Sequence, residues 1–262
     1  MDILAPAGSY ESLRAAIQAG ANSVYFGIDK LNMRSRSSMN FTLADLAEIS
    51  IICRDNGVKS YITLNTVMYE EDLAVMREIV DAAISHHIDA IIASDQAVIN
   101  YVHGKNIALH LSTQINISNI ESVKFYANFA EVVVLARELS LDQIKTISSE
   151  ISSQNICGPS GKHIRVEVFG HGALCMAVSG KCFLSEHMHH ASANRGACYQ
   201  VCRREFQVKD DKGEELKLEN NYILSPKDLC TIGFLDQIVE AGVSVLKIEG
   251  RGRSPEYVKT VV

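Results

Sequence analysis

Short apolar, β-branched runs recur along this chain at nearly regular intervals, and each is followed by an amphipathic stretch. "DILAPAG" leads into "SYESLRAAIQAGA", "SVYFGID" into "TLADLAEISIICRDNG", and "SYITLNT" into "EEDLAVMREIVDAAISHH". "DAIIASD" precedes "QAVINYVHGKN", "IALHLSTQ" precedes "NIESVKFYANF", and "AEVVVLARE" precedes "SLDQIKTISSEI". "HIRVEVFGHG" is the seventh such run, and "VSVLKIEGRGR", before "SPEYVKTVV", the eighth. Two parallel strands cannot be joined by a tight turn and need a crossover, usually a helix, so this alternation predicts a parallel sheet. The runs are apolar rather than alternating, as strands covered on both faces are. Eight units in 262 residues predict an α/β fold, a (β/α)8 TIM-like barrel. The alternative is an open doubly wound sheet, but no glycine fingerprint follows the first strand.

One insertion breaks the rhythm. Residues 171–224, between strands seven and eight, hold four cysteines and then "RREFQVKDDKGEELKLENNYILS". The "DDKG" turn between alternating segments predicts a β-hairpin. "SPKDLCTIGFLDQIVEAG" reads as a helix leading to the last strand. The whole of 1–262 is read as a single barrel-type domain that includes this insertion, and the sequence stops within the eighth helix.

The composition is 47% hydrophobic, enough for a sizeable core, and the net charge of −6 argues against a wholly basic surface, so any anion-binding face is local. No basic start with an apolar run opens the chain, and no stretch reaches the ~18 apolar residues of a membrane span. The expectation is a soluble cytoplasmic protein with no membrane partner. Thiols there stay reduced, which makes clustered cysteines a sign of metal or catalysis rather than of disulfides.

Cys175, Cys182, Cys198 and Cys202 are spaced C-x6-C-x15-C-x3-C. Cys198 and Cys202 would share a face if helical. Cys175 and Cys182 flank a turn with Gly180. Two such pairs can close around structural zinc or an iron–sulfur cluster, and arms of x6 and x3 suit the short zinc spacings poorly. Cys53, Cys157 and Cys230 have no partner pattern. "EHMHHAS" offers Glu186, His187, His189 and His190, but neither H-E-x-x-H nor G-x-S-x-G occurs, so these histidines read as a solvated loop or as donors near the metal.

In a barrel the chemistry belongs at the C-terminal strand ends. There the chain places Tyr25 and Asp29, Asn65 and Thr66, Asp95, Ser112 and Gln114, Arg137 and Glu138, Glu167 and His171, and Lys247, Glu249 and Arg251. Each alone is what a wet strand end carries; as a set they outline a pocket. Glu167, His171, Lys247 and Glu249 are the catalytic candidates, with Glu or His suited to proton transfer. Arg137, Arg251, Asn65 and Gln114 are the candidate substrate-binding groups. Arg34, Arg36 and Arg253 beyond strand ends, with Arg195, Arg203 and Arg204 in the cysteine loop, predict a locally positive face suited to carboxylates or phosphates.

From "EVFGHGALCMAVSGKCFLS" (Glu167 to Ser185) onward the chain resembles the collagenase-like peptidase family U32. "LAPAG", "VYFG", "LSTQ", "LARELSL", "SPKDL" and "KIEGRGRSPEYV" look like its segments in its order, so the likeness covers essentially the whole chain. The loop "RGACYQVCRREF" is most similar to the branch for prephenate-dependent hydroxylation of tRNA wobble uridine to 5-hydroxyuridine. The resemblance implies a barrel-type catalytic domain and a [4Fe–4S] cluster on Cys175, Cys182, Cys198 and Cys202. It also implies prephenate as hydroxyl source and tRNA as partner. The resemblance also implies that longer relatives continue into a C-terminal β-rich region, which is not expected within residues 1–262. The readings to be weighed are an iron–sulfur RNA hydroxylase, a collagenase-like peptidase, and a zinc-stapled partner subunit. Homo- and hetero-oligomers both remain open.

Overall fold

Each crossover returns the chain beside the strand it left. In the computed structural model, which describes residues 1–36, 40–179 and 181–262, β1 (Asp2–Pro6), β2 (Ser23–Gly27), β3 (Lys59–Leu64), β4 (Ala90–Ala93), β5 (Ala108–Leu111), β6 (Val132–Val134) and β7 (Arg165–Gly172) pair in sequence order, all parallel. After the insertion, β9 (Val245–Ile248) lies parallel between β7 and β1 and closes the ring. This is the eight-stranded parallel barrel that the alternation predicts. Gly180, the predicted turn residue between Cys175 and Cys182, lies outside the described residues.

Alternation along the strands divides their side chains between two environments. Leu4, Tyr25, Tyr61, Ala90, Ile92 and Val245 form a small buried cluster within the ring. Their neighbours Ala5, Val24, Ile62, Ile91 and Leu246 belong to the larger core shared with the helices. Burial on both faces is why the strands read as apolar runs rather than alternating ones.

The helices begin where short polar side chains satisfy free backbone amides. Ser9 accepts a hydrogen bond from the Ser12 amide at the start of α1 (Tyr10–Gln18), and Asp95 from the Ala97 amide at α4 (Gln96–Val102). Ser140 and Gln143 form a capping box on α6 (Leu141–Ser153), and Ser254 with Pro255 opens α9 (Pro255–Val261). Met76, Ile79, Val80 and Ala83 give α3 (Leu73–Ser85) one buried face at helical spacing. The same pattern seats α2 (Leu46–Asp55) and α5 (Ile120–Ala127). No helix among the described residues is long and apolar enough to cross a membrane.

The insertion departs from its reading in one place. "SPKDLC" is not helical: Leu229–Cys230 forms a short β8 antiparallel to the end of β7, and only Leu235–Glu240 makes α8. The Thr231 hydroxyl and amide both bond to the Gly170 carbonyl and hold that segment extended. The "DDKG" turn does close an antiparallel contact, Lys209 opposite Glu215.

Candidate active site at the barrel mouth

Period-two geometry turns Glu167 and Phe169 of β7, and Lys247 of β9, toward the lumen. Lys247 Nζ meets Glu167 Oε1 at 2.9 Å, with the side chains only 6% and 1% exposed. The Lys247 ammonium also stands 4.6 Å from the centroid of the Tyr25 ring. The Tyr25 hydroxyl donates to the Ile248 carbonyl at 2.9 Å, and burial pushes its pKa far up. One layer deeper, His110 packs edge-on to Tyr61. Burial, then the charges of Lys247, Arg165 and Lys59, holds His110 down at about 3 and therefore neutral.

Above this layer a cavity of about 190 Å³ opens at the C-terminal strand ends. On one wall the Asn65 amide donates to Ser112 Oγ at 3.1 Å and to Gln114 Oε1 at 3.4 Å, and Ser112 bonds to Gln114. Opposite, Arg34 pairs with Glu249 at 3.0 Å. Arg137 donates to Ser179 Oγ and lies 5.8 Å from the centroid of Phe169. Arg251 is buried and gives Nη1 hydrogen bonds to Asn32 Oδ1 (3.0 Å) and Thr63 Oγ1 (2.9 Å).

The cysteine loop roofs this cavity, and Cys175, Cys182, Cys198 and Cys202 all line it. Its arms are fixed to the rim. Asn194 accepts from the Cys182 amide at 3.0 Å while its own carbonyl accepts from the Val67 amide. Arg195 pairs with Asp72 at 2.7 Å and lies over the Tyr69 ring. Arg203 donates to the carbonyls of Leu174 (2.8 Å) and Pro226 (2.5 Å) and to Ser225 Oγ. Gly196, at φ 89°, approaches Asn32 so closely that a Cβ would strike its carbonyl oxygen. Cys198 and Cys202 do not share a helix face: Gln200 between them is left-handed (φ 52°), followed by one 3-10 turn, Val201–Arg203. They reach the cavity by this kink instead.

All seven cysteines are free thiols. Burial raises the Cys202 pKa; Arg203 opposes this, and the three other cavity cysteines add to it, so four sulfurs share one field. Among the described residues no three His, Cys, Asp or Glu groups are gathered as a single-ion site. One tetrahedral zinc, with Zn–S of about 2.3 Å, would demand such a gathering. A cluster that gives each cysteine its own iron lets the sulfurs stand further apart, and a set of four sulfurs facing one cavity fits that group.

Of the predicted site residues, Asn65, Gln114, Arg137, Lys247, Glu249, Arg251 and the four cysteines line the cavity, and Glu167 lies beneath it, paired to Lys247. His171 does not join them: its Nδ1 bonds to the Tyr257 hydroxyl at 3.0 Å on the outer side of the strand end. Asp95 is a helix cap that also accepts from the Met68 amide. Arg253 pairs with Asp228 at 2.6 Å, away from the cavity lining. Glu186, His187 and His190 are exposed, and His189 packs on Tyr199. Phe169, Thr63 and Asn32 join the site although no sequence motif marks them. Phe169 is legible from spacing alone, being two residues from Glu167 on the same strand face.

The sequence profile described as Peptidase family U32 matches residues 8–262. A protein named "Collagenase" from Porphyromonas gingivalis is 62% identical over 99% of this chain and 63% of its own length. "tRNA hydroxylation protein P1" from Bacillus subtilis is 34% identical over 100% of the chain and 61% of its length. The chain thus spans less than two thirds of these relatives. A solved structure described as a U32 peptidase superposes with a TM-score of 0.55 at 10% identity, covering 95% of this chain and 93% of that one, a likeness of fold.

Proposed function

The chain belongs to peptidase family U32, and from that premise we propose that its barrel mouth serves RNA hydroxylation, converting tRNA wobble uridine to 5-hydroxyuridine with prephenate as oxygen source. The observation that carries this reading is the convergence of four cysteines and a cation-rich polar rim on one cavity. A relative 34% identical across the whole chain is named for tRNA hydroxylation. In the proposed exchange the uridine trades C–H for C–OH while the donor trades C–OH for C–H, so no outside oxidant is required.

Cys175, Cys182, Cys198 and Cys202 would hold a [4Fe–4S] cluster, which supplies one-electron chemistry or a Lewis-acidic iron when bound. The chain's own residues orient the reactants. Asn65, Ser112 and Gln114 form a fixed wall of donors and acceptors. Lys247 lines the cavity, where Glu167 beneath it fixes the position of Lys247 Nζ toward a bound reactant. Phe183 and Tyr199, 72% and 40% exposed on the roof, with Arg36 Nη1 2.5 Å from the Tyr199 hydroxyl, offer stacking faces to an unpaired base.

The test is nucleoside analysis of tRNA from cells lacking this gene and its paralogues, with and without the restored gene. Loss and recovery of 5-hydroxyuridine is expected; unchanged levels would reject the substrate.

The name of the 62% identical relative favours a second reading, cleavage of collagen-like polypeptide. The one histidine at the end of β7 bonds to a tyrosine rather than to a serine or cysteine. Cleavage of gelatin by the purified chain that one substitution at the cavity abolishes would establish the peptidase instead.

A further inference from the structure

The end of the barrel opposite the mouth gathers a thiol, an imidazole and an amide on one short hairpin. α6 stops at a left-handed Asn155 (φ 50°), whose amide donates to the Ser152 carbonyl while the Ile156 amide donates to the Ile151 carbonyl. These two bonds close the helix end, and asparagine, after glycine, is the residue that tolerates the left-handed turn. The chain then doubles back before β7. The Gly158 amide donates to the Lys162 carbonyl and the Ile164 amide to the Ile156 carbonyl. Cys157 and His163, opposed antiparallel between those bonds, are a non-hydrogen-bonded pair, the kind whose side chains stand closest. Ile156 and Ile164 belong to the core, so alternation turns Cys157 and His163 to the outer face.

The hairpin is pinned at its tip as well. Ser160 gives its amide (2.7 Å) and its hydroxyl (2.8 Å) to the Glu131 carboxylate, and a Cβ on Gly158 would stand 2.7 Å from the Ala130 carbonyl oxygen. On this fixed frame Asn155 Oδ1 lies 2.8 Å from His163 Nε2 and 3.8 Å from Cys157 Sγ. A carbonyl oxygen only accepts, so the imidazole N–H and the thiol S–H are both aimed at that one oxygen. Sulfur, nitrogen and oxygen donors thus converge from three side chains on a preformed turn.

We propose that Cys157 Sγ and His163 Nε2, with Asn155 Oδ1 as third donor, bind a zinc ion at this end of the barrel. Thiolate and imidazole together favour zinc over the harder magnesium and calcium. With zinc bonds of about 2.0–2.3 Å, tetrahedral donors stand roughly 3.3–3.7 Å apart. The exposed Asn155 and His163 side chains therefore need to part by only about half an ångström to admit the ion. Binding releases the thiol proton to solvent and moves the imidazole proton from Nε2 to Nδ1, so the dication meets one thiolate and two neutral donors. Among the described residues no further His, Cys, Asp or Glu completes the set, which leaves the fourth position to water. The site is separate from the mouth, and the proposed function stands or falls without it.

Alkylation of Cys157 by iodoacetamide, followed by mass spectrometry of its peptide over a series of buffered free zinc concentrations, tests this on the anaerobically purified chain. The readout belongs to one thiol, so whatever the four roof cysteines hold does not enter it. Zinc should protect Cys157 saturably in the wild type. Changing a residue that merely supports a metal ligand costs about 10–100-fold in affinity, and a ligand costs at least that. Half-protection should therefore need about 10-fold more zinc in Asn155→Ala and at least about 100-fold more in His163→Gln. These side chains lie on the outer face, so the variants should fold as the wild type does. Equilibrium dialysis should find one zinc fewer per chain in Cys157→Ser than in wild type. Alkylation that zinc does not slow, protection equal in wild type and His163→Gln, or the same zinc content in wild type and Cys157→Ser would each overturn the proposal.

Discussion

Replacing Lys247 with methionine removes the charge paired with Glu167, whose side chain is 1% exposed and bonded to Lys247 at 2.9 Å. A buried ion pair contributes little net stability against an apolar pair of the same volume, because desolvation cancels most of the attraction. Breaking it from one side is different, since the remaining charge keeps its desolvation cost and loses its compensation. The expected loss is about 3–5 kcal/mol, a large share of the roughly 5–15 kcal/mol that holds a domain together. At about 2–4 °C per kcal/mol for a chain of this size, that is a fall of ~6–20 °C in Tm. Glu167→Leu should cost a similar amount by stranding the ammonium. The double variant Glu167→Leu with Lys247→Met should recover to within about 1–2 kcal/mol of wild type, since neither charge remains. Urea unfolding of the four proteins, followed by circular dichroism, completes the cycle. Single changes that cost under about 1 kcal/mol each and add to within ~0.5 kcal/mol would refute the reasoning.

Other outcomes follow from the same interior and from the loop anchors. His110 is held neutral at about 3 by burial, whereas an unfolded histidine gains its proton near 6.5, so its contribution is intact above about pH 6.5 and is lost as pH falls, at roughly 1.4 kcal/mol per pH unit. Wild-type stability should therefore drop more steeply than that of His110→Gln between neutral pH and pH 4; parallel curves would contradict this. Burial raises the Asp72 carboxyl, but Arg195 and the Tyr69 amide outweigh it and hold the pKa below the ordinary value. That contribution is present above the unfolded carboxylate pKa of about 3.9 and is lost as pH falls through the folded value. At neutral pH Asp72→Asn should speed amide exchange in residues 193–203 while sparing the strands, and unchanged exchange there would show that the pair does not anchor the loop.

Much of the barrel was legible because burial on both strand faces writes itself as eight apolar runs, and strand ends identify the mouth. The four cysteines were legible as a set, since little else gathers thiols in a polar loop. Their route to the cavity was not, because it depends on a left-handed Gln200 and on Arg203 bonding to Leu174 and Pro226, residues more than twenty positions away. Nor could the sequence separate one mouth cation from another. Arg34 and Glu249 are 215 residues apart, and only their pairing leaves Arg251 with neutral partners. His171 looked catalytic from its place on the strand, and its bond to Tyr257 of α9 turns it away. "SPKDLC" was misread because a two-residue strand has no period to detect.

Whether four sulfurs around one cavity hold one cluster is read from the iron and acid-labile sulfide in chain purified without oxygen. About four irons and four sulfides per chain are predicted, with the brown absorption lost in Cys198→Ala and Cys202→Ala. One zinc without sulfide, or wild type as colourless and metal-free as the variants, would contradict the account.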